Sequence, residues 1–377
     1  MKYFFLSTVL IFGFVLGSRA QGPVTQGSET VAKKKSTTAD PNAAPAADPA
    51  KDPNAKIPSK YKPNKDGLPQ GGPTFRTDVL TVTVDVAVLD NKGNPIPKIP
   101  QEKFRILEDN TPQKVTGFNV GEAPMTICLV VEFSNRFQRY YGSGWFQTLN
   151  AAYGFVETLK PVDYLAVIAY DMRPEILSDF ATDRTQAAEA LQRLRIPAFS
   201  EANLYDTLVF TGERMQDIEG RKAIVLLSSG IDTFSKLTFD KARRAIQDNG
   251  IPIYAIGLLQ SQRIMAEDRM GPIQNLDFLQ ADNQMKTFAS ETGGRAFFPR
   301  FEGEMPGIFN AVQQSMRNQY VLTYQPSNQA KDGKFRRLKV ELVNQDGQPM
   351  KVVDEKGKPI KVQIVAKAGY KAPREVE

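Results

Sequence analysis

The adjacent hydroxyls of Ser228-Ser229-Gly230 invite the role of a nucleophile. A serine needs a base to activate it, the chain contains 0 histidines, and no Gly-x-Ser-x-Gly turn is present. The same count removes His-based triads and every His-containing zinc site. The chain has 1 cysteine, Cys128, which excludes intramolecular disulfides, Cys-rich zinc sites and iron–sulfur clusters. Cys128 lies in the apolar run Ile127-Cys128-Leu129-Val130-Val131, so it is expected as a buried small hydrophobe rather than a reactive thiol. Neither Gly-x-Gly-x-x-Gly nor a Walker-type phosphate loop occurs.

Binding chemistry is better represented. After Asn135 comes an aromatic stretch with Phe137, Arg139, Tyr140, Tyr141, Trp145 and Phe146, residue types that dominate interaction hot spots. Trp145 and Phe146 also suit the seating of a helix. Basic residues are not interleaved with aromatics on any one element, which argues against nucleic acid. Arg336, Arg337 and Lys339 alternate on what reads as an edge strand, where basic side chains discourage edge-to-edge pairing.

These residues must be positioned by two kinds of fold. From Leu80, Val82, Val84, Val86 and Val88 alternate with Thr81, Thr83, Asp85 and Ala87, the period of a strand. Strands follow at Phe104 to Leu107 and Lys114 to Phe118. The C-terminal region repeats this texture at Tyr320 to Tyr324, Arg337 to Val343, Lys351 to Val353 and Val362 to Val365. A Gly-x-Pro-apolar turn recurs at Gly93, Gly347 and Gly357 as a hairpin device. Neither β segment is long enough to close alone, so 75–123 and 318–377 are expected to pack as one split Ig-like sandwich.

Between them, 124–317 alternates apolar strands with helices, which predicts a doubly wound, mostly parallel sheet covered on both faces. Strands are expected at Thr126 to Phe133, Tyr164 to Tyr170, Ala223 to Leu227, Ile251 to Ile256 and Ala296 to Phe298. Helices are expected at Phe146 to Leu159, Ala187 to Leu194, Leu204 to Met215, Phe239 to Gln247, Asn283 to Glu291 and Gly307 to Met316. Leu259 to Asp282 reads as an insertion. In such sheets the ligand crevice lies beyond the C-terminal strand ends. The loops after Phe133, before Leu204 and after Ser228 are therefore the places to search.

The chain has 377 residues, 41% hydrophobic and 24% charged, with a net charge of +6. That suits two folded units plus tails. Residues 1–20 read as a signal peptide, with Lys2 ahead of the apolar run Phe4 to Leu16 and small residues before Ala20. Residues 21–74 read as a disordered linker rich in Pro, Ala and Lys, with Pro41, Pro45, Pro49 and Pro53 evenly spaced. The expected location is extracytoplasmic, with no membrane span.

The texture of 76–373 resembles the bacterial VWFA-related (von Willebrand factor type A) family of secreted proteins. The resemblance is carried by Ser200-Glu201-Ala202-Asn203-Leu204-Tyr205-Asp206, by Arg221 through Asp232, by Glu291-Thr292-Gly293-Gly294-Arg295-Ala296-Phe297-Phe298 and by Gly369-Tyr370-Lys371-Ala372-Pro373. It implies a metal-ion-dependent adhesion site of the pattern Asp-x-Ser-x-Ser, with a Thr and an Asp from later loops holding Mg²⁺. Here the first element reads Glu132-Phe133-Ser134-Asn135-Arg136, the Thr position falls on Ala202 and the later Asp on Ser229. Only Ser134 is unchanged, and Arg136 brings a fixed cation to the place of the ion. The site is thus expected to be degenerate, with no cofactor. The competing reading recruits Asp206 or Asp232 as substitute acids for Mg²⁺, although each also suits a helix start or turn.

Two roles are open for Arg136, a fork for a partner's carboxylate or a plug paired with Glu132. Asp163, Asp171 and Asp183 fall where the resemblance places loop caps, which leaves a paired-carboxylate glycosidase without support. The expectation is a secreted, non-enzymatic protein-interaction module of undetermined oligomeric state. Its partner would be a protein, engaged through an acidic side chain at a rim of Arg139, Tyr140, Tyr141 and Trp145. The alternatives are a structural subunit of an envelope assembly with an inert crevice, or a metal-dependent adhesion protein with substitute ligands.

Overall fold

The computed structural model describes residues 80–91, 93–120, 123–135, 144–197, 199–260, 263–264, 271–350, 352–353 and 359–374. The expected signal peptide and linker lie outside the described residues.

The valine alternation at the start of the chain becomes β1 (Val82–Leu89), whose valines are buried. The N-terminal segment adds β2 (Phe104–Glu108), β3 (Thr111–Gln113) and β4 (Val115–Val120). The C-terminal segment supplies β11 (Tyr320–Tyr324), β12 (Phe335–Leu342), β13 (Val352–Val353), β14 (Pro359–Ile360), β15 (Gln363–Ala366) and β16 (Gly369–Lys371). They form two four-stranded sheets, β15-β1-β11-β4 and β16-β12-β2-β3, and a small β13-β14 pair. Each large sheet mixes strands from both ends of the chain. One apolar cluster joins them, with Val84, Val86, Phe104, Ile106, Tyr320, Leu322 and Val340 among its members. Two of the recurrent glycine turns are built alike: Gly93 and Gly347 take positive φ, and Leu89–Pro95 and Val343–Pro349 close the turns as isolated bridges.

The basic alternation of Arg336, Arg337 and Lys339 does not lie on an edge strand. β12 sits between β16 and β2, and Arg336 is buried with its guanidinium on Asp332. A buried arginine that finds a carboxylate is tolerated inside a sheet, so the charge pattern misreports the strand's place.

The central segment folds as β5 (Met125–Glu132), α1 (Gly144–Glu157), β6 (Tyr164–Tyr170), β7 (Pro174–Ala181), α2 (Arg184–Gln192), α3 (Leu204–Gln216), β8 (Arg221–Ser228), α4 (Phe239–Asn249), β9 (Ile253–Gly257), α5 (Pro272–Thr292), β10 (Arg295–Phe297) and α6 (Met305–Arg317). The sheet order is β10-β9-β8-β5-β6-β7. All pairings are parallel except β6 with β7. Alternate β5 residues serve opposite faces. Ile127, Leu129 and Val131 meet α1, α2 and α6, whereas Cys128 and Val130 meet α3, α4 and α5. Cys128 is fully buried and burial pushes its thiol pKa up, as expected of a core residue.

Two elements differ from expectation. β7, the antiparallel edge, has mixed polarity because half of it faces solvent. The segment read as an insertion is helical from Pro272, with the proline in the first turn and Gly293 ending the helix at positive φ.

Candidate functional site

The chain leaves β5 toward β6 on one side and reaches β8 on the other, so the ends of β5, β6 and β8 meet at the topological switch. Each of these strands ends on a polar residue: Glu132, Tyr170 and Ser228. Glu132 is directly opposite Tyr170 in the β5–β6 register.

The Glu132 carboxylate is fully buried and surrounded by donors. Its Oε1 accepts from Ser134 Oγ at 2.6 Å. Its Oε2 accepts from the Ser229 amide at 2.7 Å, Ser229 Oγ at 2.8 Å, Ser228 Oγ at 3.0 Å and Tyr170 Oη at 3.3 Å. Ser228 Oγ and Tyr170 Oη are also 2.7 Å apart. Burial, with the Glu132 charge second, pushes the Tyr170 phenol well above its ordinary value and keeps it a donor. Gly230 receives the chain beyond Ser229 at positive φ, against Met285.

This donor set suits an anion. Magnesium needs oxygen lone pairs aimed at a common centre with room for waters, whereas the hydroxyl protons here are directed onto one carboxylate. Among the described residues no group of three or more acid, His or Cys side chains could hold a metal. Among the described residues, the hydroxyls at these strand ends are thus turned onto Glu132.

The expected site residues divide accordingly. Glu132, Ser134 and Ser229 come together. Ala202 is buried and works through its backbone, its N–H on Thr233 Oγ1 at 3.0 Å and its carbonyl accepting from Thr233 and Phe234. Asp232 Oδ1 accepts from Leu204 N at 2.8 Å, Tyr205 N at 3.3 Å and Ser235 Oγ at 2.5 Å. Burial raises its carboxyl pKa. Asp206 accepts from Lys236 N and Leu237 N at 2.9 and 3.0 Å. Both acids are thus spent on the mutual capping of α3 and the loop after β8. Arg136, Arg139, Tyr140 and Tyr141 lie outside the described residues, and Trp145 falls in the first turn of α1. Tyr170 was not singled out by sequence; the available signal was a hydroxyl ending an otherwise apolar strand.

The loops above these strand ends form a crest with much exposed apolar surface. Phe199 lies before α3, Phe234 after β8 and Phe301 after β10, while Ile273, Leu276 and Leu279 line the first turns of α5; all are exposed. Phe278 points the other way, onto Leu259. The other exposed large apolar residues among the described ones are Val120, Phe146, Val162, Ile176, Ile196, Ile264 and Val353.

No family model matches the chain, and no curated protein matches it. Solved structures similar to it include von Willebrand factor type A domains. The vWF domain of the type V pili tip protein Mfa5 from Porphyromonas gingivalis is 13% identical over 52% of this chain and 95% of that one, with a TM-score of 0.40. An aerotolerance-related membrane protein from Bacteroides fragilis is 14% identical over 52% and 98%, at 0.39. The von Willebrand factor type A protein from Catenulispora acidiphila is 12% identical over 68% and 74%, also at 0.39.

Proposed function

We propose that this chain is an extracytoplasmic, non-enzymatic protein-interaction module that binds a protein partner through the crest of its α/β unit, without a resident metal ion. The observation that carries this reading is the gathering of exposed Phe199, Phe234, Ile273, Leu276, Leu279 and Phe301 at the one end of the sheet where its loops converge. Exposed apolar surface of this kind marks interaction sites, and the C-terminal strand ends are where such sheets bind. The β unit, read as a split Ig-like sandwich, serves as scaffold.

The adjacent serines are not free to act as nucleophiles. Ser228 and Ser229 are buried, and both hydroxyls donate to Glu132. A metal-dependent variant would have to recruit Asp206 or Asp232 from the backbone amides they hold. The extracytoplasmic placement rests on the signal-like sequence of 1–20. No helix among the described residues is long and apolar enough to cross a membrane.

The test is capture of partners from envelope and extracellular fractions, with and without a chelator, comparing the natural chain with Leu276→Glu and with Val162→Glu at the opposite end of the sheet. Capture should be lost in Leu276→Glu, kept in Val162→Glu and indifferent to chelator. Loss confined to Val162→Glu would defeat the crest reading. Chelator-sensitive capture, or calorimetric binding of Mg²⁺ at millimolar affinity or tighter, would defeat the metal-free one.

A further inference from the structure

A cavity of about 690 Å³ opens away from both the crest and the buried Glu132. Small-ligand sites span roughly 300–1,000 Å³. Its walls come from two places: the face of β12 that carries Arg337 and Lys339, and α4 with the end of α5, which bring Arg243, Gln247 and Glu291. The turn between β2 and β3 adds Asn110.

Most charges lining this cavity are already matched. Arg243 Nε lies 2.9 and 2.7 Å from the two oxygens of Glu291. Lys339 pairs with Glu341 at 2.8 Å. Asp109 Oδ1 accepts from the Arg337 amide at 2.9 Å, and the Asp109 amide donates to the Arg337 carbonyl at 2.9 Å. The Arg337 guanidinium is the exception. It is exposed, and it makes no ion pair or hydrogen bond with any described residue. The two backbone bonds to Asp109 fix the turn to β12, so the free fork and the neighbouring Asn110 amide are held at one wall.

The lining selects a ligand. A free guanidinium is shaped for a carboxylate, which it holds through two parallel bonds. Asn110 keeps both halves of its amide unpaired among the described residues, while Gln247 gives its NH₂ to Glu291 at 2.7 Å and keeps its carbonyl oxygen. Amides that can donate and accept match hydroxyls, which do both. Phe335 and Leu107 supply the apolar part of the wall. An extended peptide is poorly served, because β12 is paired with β16 and β2 and lends the cavity no free row of backbone groups. We infer that this cavity binds an acidic sugar, a hydroxylated ring bearing one carboxylate, with Arg337 as the fork for the carboxylate and Asn110 and Gln247 as partners of the hydroxyls.

The site is separate from the crest, so the inference stands or falls without it. Calorimetric titration of the full chain with digalacturonate should show saturable binding, and its uncharged dimethyl ester should bind at least about tenfold more weakly. Arg337→Gln should cost digalacturonate a similar factor, with Arg337→Lys between the two because lysine keeps the charge and loses the fork. Asn110→Gly should weaken binding without lowering the melting temperature, since Asn110 has a φ of 67° that glycine adopts freely. Leu276→Glu should bind as the natural chain does. No binding of digalacturonate at up to about 10 mM, equal binding of the ester, or an Arg337→Gln variant that binds unchanged would overturn the inference. So would the peptide Gly-Asp-Gly binding as tightly as digalacturonate, which would mean that the cavity reads a carboxylate and not a sugar.

Discussion

Glu132 is a negative charge with no exposed surface, held by a backbone amide, three serine hydroxyls and a tyrosine. A carboxylate tolerates such burial because every donor is matched to an ionised acceptor, the stronger class of hydrogen bond. Glutamine at this position keeps the shape but turns an NH₂ group toward donors on one side of the site, while one of the Tyr170–Ser228 pair can still donate to the other. Glu132→Gln should therefore lower the unfolding free energy by about 2–3 kcal/mol, measured by urea titration. Ser229→Ala should cost less, since its N–H still reaches Oε2. Equal losses in the two variants would mean that the charge matters less than the space. Part of this site was legible in the sequence. Glu132, Ser134 and Ser229 stand at the ends of apolar runs that read as strands. Tyr170 was not legible, because its partnership follows from a register between strands 38 residues apart, and register is set by the assembled sheet.

The elements around the site differ in how openly the sequence displays them, for physical reasons. β5, β6 and β8 are buried on both faces and show as continuous apolar runs. β7 and the start of α5 do not, because each is apolar where it is exposed: Ile176 on the strand, and Ile273, Leu276 and Leu279 on the helix. The start of α3 is legible in the sequence, but its capping is not. Asn203 provides no side-chain cap; Asp232 and Ser235 reach across from the next loop to the first amides of the helix, and Asp206 returns two bonds to that loop. Asp206→Ala and Asp232→Ala should each cost about 1 kcal/mol. The double variant should cost less than their sum, since the first loss already frees the loop. Additive losses would show that the two caps act separately. The pH dependence has a definite sign. Burial raises the Asp232 pKa above its ordinary 3.8, so the folded state holds this proton more tightly than the unfolded one. Its contribution is complete below 3.8 and declines as pH rises through the raised value. Asp232→Asn, which lacks this titration, should gain stability relative to the natural chain over that interval.

At the scale of the whole molecule the problem is topological: the α/β unit interrupts a sheet whose β4 and β11 must still pair, Val120 with Tyr320. The chain enters that unit at Met125 and leaves it at Arg317, so those two points have to be held together. A single buried carboxylate holds both. Asp163 Oδ1 accepts from Met125 N at 3.1 Å, Oδ2 accepts from Lys160 N at 2.9 Å, and the Arg317 guanidinium pairs with the same group. Gln313 supports Arg317 from the preceding turn of α6 at 3.1 Å. Asp163 is fully buried and Arg317 nearly so, so removing one partner leaves an uncompensated charge in the interior. Asp163→Ala and Arg317→Met should each cost about 3–5 kcal/mol, read from thermal or urea unfolding. Asp163→Leu combined with Arg317→Met should recover part of that loss by discarding both charges. Hydrogen exchange provides the topological readout. If the ion pair closes the neck of the insertion, protection in either single variant should fall first along the β4–β11 ladder, ahead of the interior strands β5 and β8. Uniform loss of protection across both units would assign the pair to general stability instead of to the neck.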